Sequence, residues 1–107
     1  MNSKVNIYIA IQSESDIIGW WTFDKYGESY ICDGASLEAT NEYGDYERGT
    51  PCTSIKQAKA EAKLAVNMAR YDGDPDPKAT FWAYYKGKLV QIKFTRDDKI
   101  IIVNPKK

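Results

Sequence analysis

A chain of 107 residues with no histidine must draw any chemistry from carboxylates, lysines or its two thiols, Cys32 and Cys52. Histidine is the usual general base near neutral pH, and the usual partner that orients a Ser or Cys nucleophile. Ser-His and Cys-His mechanisms are therefore closed to this chain. Two cysteines without histidine do not complete a four-ligand zinc site. One cysteine pair is no disulfide framework, and the expectation is two reduced thiols, one or both buried. Asp72, Asp74 and Asp76 alternate like the acids that open a calcium loop, but Pro77 and Ala83 stand where an EF-hand wants its Gly and its closing Glu. That run reads as a helix-terminating turn. Walker A, GxGxxG, GxSxG and HExxH patterns are absent. No cofactor and no metal are expected, and the chain reads as non-enzymatic. A carboxylate enzyme would need two acids converging in a cleft.

Charge is the feature that carries most information. The formal net charge is zero, but it is not evenly spread. Glu14 to Glu47 holds nine acids and one base, Lys25, a net of −8. Arg48 to Tyr71 carries +4, Asp72 to Pro77 carries −3, and Lys78 to Lys107 carries +6. Such polarity allows two outcomes: halves that neutralise each other, or a true acidic face. The acidic face would centre on Glu38, Glu42, Tyr43, Asp45, Tyr46 and Glu47. Tyrosine adds contact area at low entropy cost, and carboxylates steer encounter, so this stretch fits a protein partner with a basic surface. Basic protein surfaces are often nucleic-acid-binding surfaces. An acidic domain that occupies one blocks it, as do small phage or mobile-element inhibitors of the anti-CRISPR kind; that parallel rests on size and charge alone. The alternative is direct nucleic-acid binding by Lys56, Lys59, Lys63 and Arg70, with Lys86, Lys88 and Lys93 as possible extensions. A solvated outer helix face would carry the same lysines.

Aromatic residues are dense. Trp20 and Trp21 are adjacent in a strand pattern, so they point to opposite faces. One helix covers only one face of a sheet. Some of Tyr8, Trp20, Trp82 and Tyr84 are therefore expected on the other face, as a second small core or as an exposed platform. The motif of an RRM is missing.

The elements that must position these groups follow from periodicity. Val5 to Ile11 alternates apolar and polar residues, as a half-buried strand does. Ser13 to Asp16 reads as a turn, and Ile17 to Phe23 and Glu28 to Cys32 as two more strands. Residues 33–53 form a long polar loop. Ser54 and Gln57 have capping-box spacing, and a helix of Ala, Lys, Glu, Leu and Met runs from Ile55 to about Arg70. Its apolar side is Ile55, Ala58, Ala62, Ala65, Val66 and Ala69, widened by Leu64 and Met68, with the basic residues opposite. Thr80 to Tyr85, Leu89 to Thr95 and Ile100 to Val103 are the last strands, with Lys86-Gly87 as a two-residue hairpin turn. Residues 104–107 read as a frayed tail.

The expected fold is a single α+β domain, one helix packed on antiparallel sheet in the order β-β-β-α-β-β-β. No apolar run nears the ~20 residues that span a bilayer, and the start alternates rather than forming a signal-peptide core. A cytoplasmic location is expected, with no membrane partner.

Overall fold

The computed structural model describes residues 6–14, 16–23, 28–33 and 50–103. Its elements are β1 (Tyr8–Ser13), β2 (Asp16–Phe23), β3 (Ser29–Asp33), α1 (Ile55–Tyr71), β4 (Lys78–Tyr85), β5 (Lys88–Phe94) and β6 (Ile100–Ile102). The chain is α+β in the expected order.

Helix α1 starts at its cap. The Ser54 hydroxyl accepts from the Gln57 N–H at 3.1 Å. The Gln57 side chain reaches back one residue further than a capping box requires, to the Thr53 N–H at 2.8 Å. The helix ends in a Schellman turn rather than at the prolines. Gly73 has φ +92°, its N–H donates to Arg70 O, and the Asp74 N–H donates to Ala69 O. This closure accounts for part of the acidic run: Asp72 caps the helix and Asp74 closes it.

The six strands form one antiparallel sheet in the order β3-β2-β1-β4-β5-β6. Two local meanders are joined where β1 lies against β4, with Tyr8 opposite Trp82 and Ile11 opposite Ala79. Between Ile11 and Gln12 the β1–β2 ladder shifts register. This bulge lets Ile17 share the face of Trp20, while Ile18 packs on the helix side. The expected turn at Ser13 to Asp16 is tighter than the sequence suggested, because Ser13 and Asp16 are themselves strand partners. In the β4–β5 hairpin, Lys86 and Gly87 both have positive φ, 51° and 81°, the geometry of a type I′ turn.

The long loop is pinned at both ends. Asp33 belongs to β3, opposite Gly19. At the other end, Thr50 donates its N–H to Trp21 O, and its hydroxyl bonds both the N–H and the O of Phe23. Cys52 exchanges two 2.8 Å backbone bonds with Ile7. Residues 50–52 are thus bonded both to β2 and to the residue before β1. The described β1–β4 ladder begins at Tyr8; the expected start at Val5 lies outside the described residues, as do 104–107.

Both faces of the sheet are apolar. On the helix side, Ala58, Ala62, Ala65 and Ala69 bring α1 down onto Ile7, Ile9, Ile11, Trp21, Cys52 and Ile92. Four alanines permit that close approach because they carry no more than a methyl. Leu64 does not widen this face as expected: it is 53% exposed, on the outer surface of the helix. On the other side, Ala10, Trp20, Trp82 and Leu89 form a second small core with Tyr8 and Ile17 packed against it. Trp20 meets Trp82 edge-on at 6.1 Å. Core rather than platform is the state of these two indoles.

Two substitutions test the helix ends. Ser54→Ala removes the cap acceptor and should cost about 1 kcal/mol. Gly73→Ala puts a Cβ on a left-handed residue, with open space around it, and should cost roughly 1–2 kcal/mol through backbone strain alone. Urea midpoints read both, and an unchanged midpoint for Gly73→Ala would mean that the turn is not as described.

Candidate functional site

The acidic candidates Glu38, Glu42, Tyr43, Asp45, Tyr46 and Glu47 lie outside the described residues. What is described is where their segment is attached. It leaves from β3 at Asp33, an edge strand, and returns at Thr50 against β2. Both attachments belong to the β1–β2–β3 half of the sheet.

The basic candidates are all described and all exposed. At 3.6 residues per turn, Lys56, Lys59, Lys63 and Arg70 fall within about 60° of one another around α1. They do not stand opposite the buried alanines, as expected, but on one flank. That flank overlooks the C-terminal half of the sheet. Lys63 and Arg70 border a hollow of about 410 Å³ lined by Ala62, Val66, Ala79 and Phe81. Lys59 and Lys93 border a second hollow of about 390 Å³, lined by Phe81, Ile92 and Phe94. Ala79 and Phe81 line both, so the two hollows make one groove. Phe81 and Phe94 pack in it with ring centroids 4.6 Å apart. Lys59 is engaged by Asp98 at 2.8 Å. Among the described residues, Lys56, Lys63 and Arg70 make no ion pair. Lys86 and Lys88 stand at the β4–β5 turn and do not line the groove. The groove floor was not foreseen, because helix periodicity gives the flank but not the strand beneath it.

The other flank of α1 has a different character. The Trp21 indole N–H donates to Glu61 Oε1 at 2.7 Å. Glu61 is thus a half-buried carboxylate committed to a structural bond. It also faces Cys52, a free and buried thiol. Burial, and then the negative charge of Glu61, push that thiol up from 9.0 to about 12. A thiol so placed holds its proton at neutral pH and is a poor nucleophile.

Glu14 and Asp76 line one depression with Gln12 and Lys78. Both acids are exposed, and Asp76 lies 3.8 Å from Lys78. No group of acids, cysteines or histidines among the described residues is arranged to hold a metal ion. No helix of the described residues is long and apolar enough to cross a membrane. On the helix-free face, the Trp82 indole N–H donates to Thr80 Oγ1 at 2.9 Å, and Thr80 Oγ1 donates to Ala10 O at 3.3 Å. Trp20 Nε1 is buried, with no hydrogen-bond partner among the described residues.

Two measurements follow from the Trp21–Glu61–Cys52 cluster. Glu61→Ala leaves the Trp21 N–H unpaired and should cost about 1–3 kcal/mol, most of it recovered by Glu61→Gln, which keeps the acceptor. The folded thiol keeps its proton to about pH 12, whereas an unfolded one releases it near 9.0. Its contribution to stability is therefore fully present below pH 9 and lost as pH rises towards 12. In a Cys32→Ser chain, Cys52 should resist maleimide at about pH 8 while folded and react fully in denaturant. Fast labelling of the folded chain would contradict this placement.

No family model matches the chain, and comparison with curated proteins and with solved structures finds no match.

Proposed function

We propose that the chain is a non-enzymatic, protein-binding module whose acidic, Tyr-rich stretch occupies a basic, nucleic-acid-binding surface of a partner. The stretch is Glu38, Glu42, Tyr43, Asp45, Tyr46 and Glu47. Its mode of action would be that of a small inhibitor carried by a phage or mobile element, of the anti-CRISPR type.

The observation that carries this reading is the way the sheet order distributes charge. The segment of net −8, Glu14 to Glu47, holds β2 and β3 and the connection that leaves from β3 and returns against β2. The segment of net +6 begins with β4 and includes β5 and β6, in the other half of the sheet, where the basic flank of α1 overlooks β4. A domain of zero net charge can thus present an acidic end that steers towards a basic surface while its other end stays out of contact. The non-enzymatic reading is supported by the committed role of Glu61 and the inert setting of Cys52.

The test is a comparison of the wild-type chain with Glu42→Lys/Asp45→Lys/Glu47→Lys as bait in host extract. Wild type should capture a nucleic-acid-binding protein and inhibit that protein's nucleic-acid binding in a purified assay. The triple variant should melt at the same temperature yet lose at least about tenfold in affinity, equivalent to roughly 1.4 kcal/mol. Equal capture and equal inhibition by the folded variant would remove the acidic-surface reading.

A further inference from the structure

We propose that the groove between α1 and the β4–β5 hairpin binds a segment of single-stranded nucleic acid. Phosphates would lie along the Lys56–Lys63–Arg70 flank, and bases would lie over Phe81 and Phe94. This site is distinct from the acidic stretch and stands independently of its function.

Three observations select this ligand. First, the cations form a row. Lys56, Lys63 and Arg70 recur every seven residues, so the row is about 21 Å long on a rise of about 1.5 Å per residue. All three are exposed and make no ion pair among the described residues. A row of unpaired cations complements a ligand whose charges are also strung along a line. Second, Lys63 and Arg70 of the row border an apolar floor. Ala62, Val66, Ala79 and Phe81 lie beneath Lys63 and Arg70, and Phe94 extends the floor beside Phe81. A charged wall beside aromatic rings is how proteins hold single strands without reading their sequence. In a duplex the bases are stacked inside, so the backbone would meet the lysines but nothing would meet the floor. Third, the strand that forms the floor offers no edge. β4 is paired on one side with β1 and on the other with β5. An acidic peptide would find no free strand to extend, which removes the main source of affinity for an extended peptide.

Asp98 gives the groove an internal check. It holds Lys59 at 2.8 Å and so withdraws one cation from the row. It also has φ +58°, a conformation that asparagine tolerates well. Asp98→Asn should therefore release Lys59 without disturbing the turn.

The experiment is fluorescence anisotropy on the full chain with a labelled mixed-sequence single-stranded oligonucleotide, titrated from about 50 to 200 mM salt. Wild type should bind the single strand at low salt. Lys63→Ala and Arg70→Ala should each weaken binding several-fold, and together they should reduce the slope of log K against log salt by about 1.4. Asp98→Asn should strengthen binding. Phe81→Leu, checked for folding by its melt, should weaken binding without altering the salt slope. Lys86→Ala/Lys88→Ala should leave affinity within about twofold, since these lysines lie off the groove. Absence of binding at low salt would overturn the proposal. So would equal affinity for duplex of the same length, full competition by polyglutamate at matched charge, or a larger loss from Lys86→Ala/Lys88→Ala than from Lys63→Ala/Arg70→Ala. Protein capture by the Lys63→Ala/Arg70→Ala chain keeps the two proposals apart: it should survive loss of the groove.

Discussion

Ala10 and Thr80 are 70 residues apart in sequence and directly opposite in the sheet, bonded through the Thr80 hydroxyl. The ladder they belong to, between β1 and β4, is what makes one sheet of two local hairpin sets. Without it each meander would be a three-stranded ribbon with both faces apolar and nothing to cover them. With it, Ile9 and Ile11 come beside Ala79 and Phe81 on one face, and Tyr8 and Ala10 come beside Trp82 and Thr80 on the other. The helix then packs against β1, β3 and β4, spanning the seam that the ladder creates. Every surface feature inherits its place from this junction.

The junction also decides how charge is displayed. Joining the meanders side by side keeps β2 and β3, which lie in the acidic part of the sequence, in the opposite half of the sheet from β4, β5 and β6, which lie in the basic part. The helix reinforces the partition because its two flanks differ. Its basic flank lies over the C-terminal half, and Glu61 on the other flank bonds Trp21 from the N-terminal half.

Much of this was readable from residues alone, because it is local. Alternation of apolar and polar residues identified the strands, and Ser54 with Gln57 identified the helix start, since each pattern is enforced by backbone geometry within a few residues. The separation of Trp20 from Trp21, and the second core around Trp20 and Trp82, followed from strand pleating and from one helix covering one face. What sequence could not supply is non-local. Nothing near Tyr8 specifies Trp82 as its neighbour, and nothing near Lys63 specifies Phe81 beneath it. The bulge at Ile11–Gln12 is invisible for a related reason: it depends on register with β2 rather than on any residue type. Leu64 illustrates the converse error. Its apolar nature suggested burial, but at 100° per residue it lies about 130° round the helix from the middle of the alanine stripe, and that side stays in water.

The neighbouring indoles Trp20 and Trp21 have opposite fates. Both are buried, one on each side of the sheet, but Trp21 gives its N–H to a carboxylate, whereas the Trp20 N–H has no acceptor among the described residues. Trp82 gives its own to a hydroxyl. The three indole protons therefore sit in three distinct hydrogen-bonding environments and should have three separate NMR resonances. Loosening of the helix would disturb the Trp21 signal first, and loosening of the helix-free face would disturb those of Trp20 and Trp82. The molecule thus carries built-in reporters able to show whether its two cores melt together or one after the other.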